Sequence, residues 1–185
     1  MNLIVKTTNY HRKSIRLKDY DYSQAGAYFV TICTNDKGCA FGEINDGEMH
    51  LNDIGKIVES EWMKTGEIRK NVLIDEFFVM PNHLHGIIII IDMDNGRGMA
   101  RHAPTKPRTF GKPIANSLSS IIGSFKSAAT KHINQLRNSP GNPVWQRNYF
   151  ERIIRNEKEW NRIREYIISN PFNWVINNEN PQNWN

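Results

Sequence analysis

The sequence predicts an α+β fold: one mainly antiparallel sheet with helices packed on it. Three observations carry this expectation. The segments run β-ββ-α-β-loop-α-β-α, with strands and helices intermingled, and several strands are joined by hairpin-sized turns, which argues against a doubly wound parallel sheet. The third is length, since 185 residues suit one well-cored domain and are short for two.

Each element has a local reason. "AYFVTICT" (27–34) alternates and is rich in β-branched and aromatic residues, so it is a strand. "CAFGEINDGEMHLN" reads as a hairpin turning at Asn45-Asp46-Gly47. In 53–70, Ile54, Ile57, Val58 and Trp62 recur at helical spacing. Val72 to Ile91 is strand-like on both sides of Met80-Pro81-Asn82, and Pro81 divides it, because proline donates nothing to a ladder. Residues 117–138 form a helix burying Ile121, Phe125 and Ile133; 144–156 read as a strand. The last helix starts at an Asn156 cap, with Glu159 placed for a capping box, and ends against Pro171. Around this single domain, spanning 1–185, lie a basic arm (1–20), a Gly/Pro-rich basic loop (92–116) and an Asn-rich tail (171–185) that drapes on the domain.

Charge is unevenly spread. Residues 1–18 hold five Lys/Arg and no acid, whereas 19–94 hold five basic and fourteen acidic residues. Asn95 to Phe150 carries nine Lys/Arg and not one Asp or Glu. Such a stretch suits a polyanion, because phosphate binding is dominated by cations without repelling neighbours; a solvated basic face is the competing account. The densest apolar run, "HGIIIIID", is strand-sized, not membrane-spanning, and the N-terminus lacks the apolar region of a signal peptide. Cys33 and Cys39 are too few for a disulfide framework or, by themselves, a zinc site, and read as reduced thiols of a cytoplasmic protein, with a hairpin disulfide as the second option.

The chemistry is concentrated in "VMPNHLHGIIII". In a strand, residues two apart share a face, so His83 and His85 leave the sheet side by side while Leu84 points the other way. Two such imidazoles are packing residues or half of a metal site. On the final helix Trp160, Ile163 and Ile167 form the buried stripe, Tyr166 lies at its edge, and Asn170 follows one turn later. Two imidazole nitrogens and an amide oxygen make a mixed site suited to Mg²⁺ or Mn²⁺, and a phenol beside it is a nucleophile towards phosphorus. Equally, Tyr166 reads as a half-buried helix tyrosine and Asn170 as a helix C-cap.

Taken in order, "RKSIRLKDYDYSQAGAYFVTICT", His83-Leu84-His85 within "MPNHLHG", "SFKS" and "VWQRNYFERIIRNEKEWNRIREYIISNP" resemble the REP-associated tyrosine transposases. These are a branch of the HUH single-tyrosine, insertion sequence 200-like transposases. The resemblance covers all but the 92–116 loop and the extreme termini. It implies a ferredoxin-like or RRM-like sheet in a bacterial cytoplasmic protein acting at the nucleoid. It further implies single-stranded DNA cleavage next to a hairpin through a 5′-phosphotyrosine, with Tyr166 as nucleophile and His83 and His85 on Mg²⁺ or Mn²⁺. Asn170 would be the third ligand, where relatives commonly place glutamine.

Tyr149 is the rival nucleophile, but it sits in a strand-like segment and has Ile153, not an amide, four residues on. Trp145, Tyr149 and Phe150 are instead candidate stacking surfaces for unpaired bases. Lys126, Lys131, Arg12, Lys13 and Arg16 are candidate phosphate contacts. No general base for Tyr166 stands out. Two other functions fit the same residues: a non-catalytic RRM-like binding module, though no RNP motif is present, and a metal phosphodiesterase using water. Homodimer and monomer are both compatible with the sequence.

Overall fold

The computed structural model describes residues 20–92, 116–176 and 180–183. The expected arm with Arg12, Lys13 and Arg16, and most of the 92–116 loop, lie outside the described residues. Among the described residues six strands and three α-helices follow one another: β1 (Gly26–Cys33), β2 (Gly42–Asn45), β3 (Glu48–Leu51), α1 (Asp53–Glu67), β4 (Val72–Val79), β5 (His83–Ile90), α2 (Leu118–Leu136), β6 (Phe150–Ile154) and α3 (Glu157–Ser169).

The main sheet has the order β4-β5-β1-β6, every neighbour antiparallel, which is the α+β architecture expected. Its strands and first two helices run β-α-β-β-α-β, the split βαβ pattern. β5 lies inside the sheet, paired with β4 on one side and β1 on the other. In its register with β1, Cys33 stands opposite His83 and Thr31 opposite His85. β2 and β3 form a separate hairpin whose turn residues Asp46 and Gly47 have φ of 53° and 80°, the left-handed pair of a type I′ turn.

Helices cover both faces of the sheet. On one face Val58 and Trp62 of α1 and Ile121, Phe125, Ala129 and Ile133 of α2 pack on Tyr28, Val30, Ile32, Leu84 and Ile88. Gly86 is required there, because a Cβ at that position would stand 2.5 Å from the Trp62 ring. On the other face Ile163 and Ile167 of α3 pack on Ala27, Phe29, Ile87 and Ile154. The period-2 alternation of β5 therefore sends Leu84 to one face and the histidines to the other.

Caps account for the helix ends. Asn52 caps α1 by accepting the N–H groups of Ile54 and Gly55, and α1 stops at Glu67, three residues short of the expected end. Asn156 Oδ1 accepts the Glu159 N–H at 2.9 Å, while the Glu159 carboxylate accepts the Arg155 N–H at 3.0 Å, so the reciprocal bond falls one residue earlier than in a capping box. The segment 144–156 is strand only from Phe150 to Ile154. Trp145 makes an isolated bridge with Thr34, and Lys126 holds the intervening chain by donating to the carbonyls of Gln146 (2.9 Å) and Asn148 (3.1 Å). After α3, Trp174 and Asn180 are buried, and Asn180 Nδ2 donates to the Trp174 carbonyl. No helix among the described residues is long and apolar enough to cross a membrane.

Candidate active site

Strand geometry brings His83 and His85 together, and burial then dictates their chemistry. Their Nε2 atoms are 2.9 Å apart, and the side chains are 0% and 3% exposed. Burial pushes the His83 imidazole down to about 3; burial and the neighbouring His83 hold His85 well below the usual histidine range. Both rings are therefore neutral at neutral pH, the form that coordinates metals. Each Nδ1 is also occupied. His83 Nδ1 donates to Asn82 Oδ1 at 2.7 Å, and Asn82 Nδ2 in turn donates to the Lys37 carbonyl at 2.8 Å. His85 Nδ1 meets Thr31 Oγ1 at 2.9 Å. Trp174 covers His83 from the tail, with ring centroids 6.1 Å apart.

α3 delivers Tyr166. Its hydroxyl is 3.2 Å from His85 Nε2, and the side chain is 46% exposed, so the phenol touches the buried pair while remaining open to a substrate. Phe29 steadies this corner, stacked on His85 and edge-on to Tyr166. The helix is clamped to β4 by Asp75, which accepts Trp160 Nε1 at 2.5 Å and a two-pronged Arg164 guanidinium at 2.5 and 2.9 Å. β4 carries one extra residue between Ile74 and Phe77, a bulge that includes Asp75. Burial alone would raise the Asp75 carboxyl, but the hydrogen bonds from Arg164 and Trp160 outweigh it and hold the group below its usual range.

The phenol opens into a cleft of about 1260 Å³ running between β1, α2, β6 and α3. Its lining includes Phe29, Thr31, Cys33, His85, Tyr149, Phe150 and Tyr166. Lys37, Lys126, Arg147, Arg152 and Arg162 also line it, against Glu151 as the acid. Arg152 is bound to Glu159 at 2.6 Å, whereas Arg147 and Arg162 are exposed. Cys33 and Cys39 are both free thiols.

The structure sorts the residues singled out in the sequence. His83, His85 and Tyr166 converge. Asn170 is buried at the end of α3, one turn beyond Tyr166, with its carbonyl accepting the Asn173 N–H. Tyr149 is half-buried with the Lys126 ammonium 5.5 Å from its ring centroid, and burial lowers that ammonium to about 8. Trp145 corrects the expectation of a stacking surface. It is 7% exposed between Phe41 and Phe125, so its ring belongs to the core. Phe150, at 39% exposed, faces the cleft, which the half-buried Tyr149 also lines. Lys131 is exposed on a different groove, with Ser127, Thr130 and Asn134. Sequence reasoning missed Thr31, Asn82, Asp75, Trp174, Arg147 and Arg162. Two of these carried a signal: Arg147 lies in the acid-free basic stretch, and Arg162 stands one helical turn before Tyr166.

The histidine pair fits a divalent cation. Two ligands at about 2.1 Å from one ion and at right angles are about 3 Å apart, the separation the imidazoles already have. Among the described residues no three His, Cys, Asp or Glu side chains form a metal cage.

No family model matches the chain. A solved structure of the REP-associated tyrosine transposase bound to a REP hairpin superposes with a TM-score of 0.57 at 18% identity, over 85% of this chain and 72% of that one. At this identity the match establishes a shared fold. An uncharacterized protein of Haemophilus influenzae is 44% identical over 168 residues, which are 89% of this chain and 91% of the relative. The chain belongs to one family with that Haemophilus influenzae protein and has the fold of the REP-associated tyrosine transposase.

Proposed function

We propose that this protein is a metal-dependent single-stranded DNA endonuclease and strand transferase, a transposase that cleaves beside a DNA hairpin through a 5′-phosphotyrosine. The observation that carries this reading is the Tyr166 hydroxyl, 3.2 Å from one of two convergent imidazoles at the mouth of a basic cleft. The fold shared with a transposase bound to a REP hairpin supports it.

His83 and His85, with Asn170 as the third ligand, would hold Mg²⁺ or Mn²⁺, which would supply a Lewis acid for a non-bridging phosphate oxygen. Asp75 keeps α3 seated so that the phenol stays beside that position. Arg147, Arg162 and Lys37 attract the backbone of the strand, and Phe150 offers a ring to an unpaired base, a contact worth about 1–3 kcal/mol. The Tyr166 oxygen then attacks phosphorus. A Tyr–O–P bond forms and the P–O3′ bond breaks; the proton lost by the phenol is balanced by one gained on the leaving 3′-oxygen. Attack by a 3′-OH on the phosphotyrosine reverses the chemistry and joins strands.

Covalent capture tests this. Labelled single-stranded hairpin oligonucleotides are incubated with protein and Mg²⁺ or Mn²⁺ and resolved under denaturing conditions. An adduct is expected in wild type and Tyr149→Phe and is lost in Tyr166→Phe. Cleavage without an adduct would make water the nucleophile and overturn the reading, as would an adduct that survives Tyr166→Phe. Hairpin binding without cleavage would leave a binding module.

A further inference from the structure

We propose that Thr31 is a positioning residue whose hydroxyl lets His85 change tautomer when a metal binds, while Asn82 keeps His83 in one tautomer throughout. The proposal rests on the metal-binding part of the function proposed above.

Asn82 Nδ2 donates to the Lys37 carbonyl, which fixes the orientation of the amide and turns its oxygen to His83. An amide oxygen only accepts, so His83 Nδ1 carries the proton and His83 Nε2 presents a lone pair. That lone pair faces His85 Nε2 at 2.9 Å. Two lone pairs at this separation repel, so in the metal-free protein His85 carries its proton on Nε2 and donates to His83, the nearer partner, while the Tyr166 hydroxyl, 3.2 Å from the same nitrogen, can accept as well. Its Nδ1 is then bare and needs a donor. The partner there is the Thr31 hydroxyl at 2.9 Å.

A cation between the rings requires the opposite arrangement on His85. Nε2 must give up its proton to solvent and offer its lone pair, and Nδ1 must take a proton, so the ring stays neutral. Nδ1 now needs an acceptor. A hydroxyl serves in both states by rotating, donating in one and accepting in the other. A methyl group serves neither. The antiparallel register of β1 with β5 sets Thr31 opposite His85, which is why this side chain meets that nitrogen. Asn82 has no such freedom, and His83 needs none, because its Nε2 is bare in both states.

Long-range ¹H–¹⁵N spectra of histidine-labelled full-length protein test this at neutral pH. In metal-free wild type we expect His83 protonated on Nδ1 and His85 on Nε2; saturating Mg²⁺ should move only His85, to Nδ1. Mn²⁺ titration by calorimetry should show Thr31→Val binding about 10–100-fold more weakly, the usual effect of losing a hydrogen-bond partner of a ligating histidine. Thr31→Ser should restore binding to within a few-fold, a rescue that loss of packing alone would not give. His85 protonated on Nδ1 without metal, unchanged affinity in Thr31→Val, or no metal binding by wild type would each overturn the proposal. A tautomer change on metal binding without any covalent DNA adduct would uphold it while the transposase reading failed.

Discussion

Leu84, Gly86 and Ile88 of β5 face α1 and α2, whereas His83, His85 and Ile87 face α3, so one strand feeds two unlike environments. The first face is a continuous apolar layer closed by Trp62, Phe41, Phe125 and Trp145. On the second, a small cluster around Ile163 and Ile167 covers part of the sheet, and the rest is given to imidazoles and an open basic cleft. Stability is concentrated on one side and chemistry on the other. This division gives the protein a firm base against which two neutral, closely spaced histidines are held, His83 beneath Trp174 and His85 against Phe29.

The largest expected effect tests the second face. Tyr166→Phe should lower DNA cleavage by about 10⁴-fold or more, equivalent to about 5 kcal/mol, by removing the attacking atom. The half-exposed ring remains, so the melting temperature should hardly move. Leu84→Ala is the mirror experiment, one residue from either histidine but on the packed face. It should cost about 2–5 kcal/mol in denaturant unfolding and leave adduct formation per folded molecule within a few-fold. A Leu84→Ala protein that is stable yet inactive would break the comparison.

How far this was readable from sequence follows the same divide. The period-2 alternation of "NHLHG" announced two histidines on one face, and the i, i+3, i+7 stripe of α3 placed Tyr166 at its rim, because both periods are local. The partners of those residues were not local. Thr31 meets His85 only through the pairing of β1 with β5, and Asp75 reaches α3 from a bulge in a strand more than eighty residues away in the chain. Trp145 misled for a related reason: an aromatic residue in an acid-free stretch looks like a base-stacking surface, and only the Thr34 bridge and the packing of Phe41 and Phe125 make it core.

Acid should sharpen the contrast. Both histidines are buried neutral, with folded-state values below the usual 6.5. The unfolded chain therefore binds more protons as pH falls below about 6.5, and stability present above that value is lost progressively, for His83 down to about 3. His83 should contribute a loss of about 2 kcal/mol by pH 5, and His85 a loss of the same sign. Chemical denaturation of metal-free protein between pH 7 and 5 should show this slope, and His85→Gln should flatten it. An unchanged slope in that variant would mean the pair is not the acid-sensitive element.

Asp75→Asn probes the junction between the α3 face and its strand. The amide cannot accept both prongs of the Arg164 fork as a carboxylate does, so α3 should sit less firmly and Tyr166 less squarely beside His85. Cleavage should fall about tenfold or more, the scale on which small misplacements of reacting groups act. Mn²⁺ affinity should fall less, within a few-fold, because β5 and β1 still hold both imidazoles and only Asn170 comes from the end of α3. A parallel loss of metal affinity would show that the helix and the histidines form one unit rather than two.

The smallest effects concern DNA affinity and separate two basic regions that composition alone cannot tell apart. Arg147 and Arg162 line the cleft beside Tyr166; Lys131 lies on another groove. For a single strand, each phosphate contact removed should reduce the salt-dependence slope of binding by about 0.7. Arg147→Ala and Arg162→Ala should each show a drop of that order in a fluorescence anisotropy titration across salt concentrations, with affinity weakened for every sequence alike, since phosphate contacts carry no base information. Lys131→Ala should leave the slope unchanged. Equal drops for all three would mean the strand follows the charge of the acid-free stretch as a whole rather than the cleft, and the division between the faces would then govern catalysis but not binding.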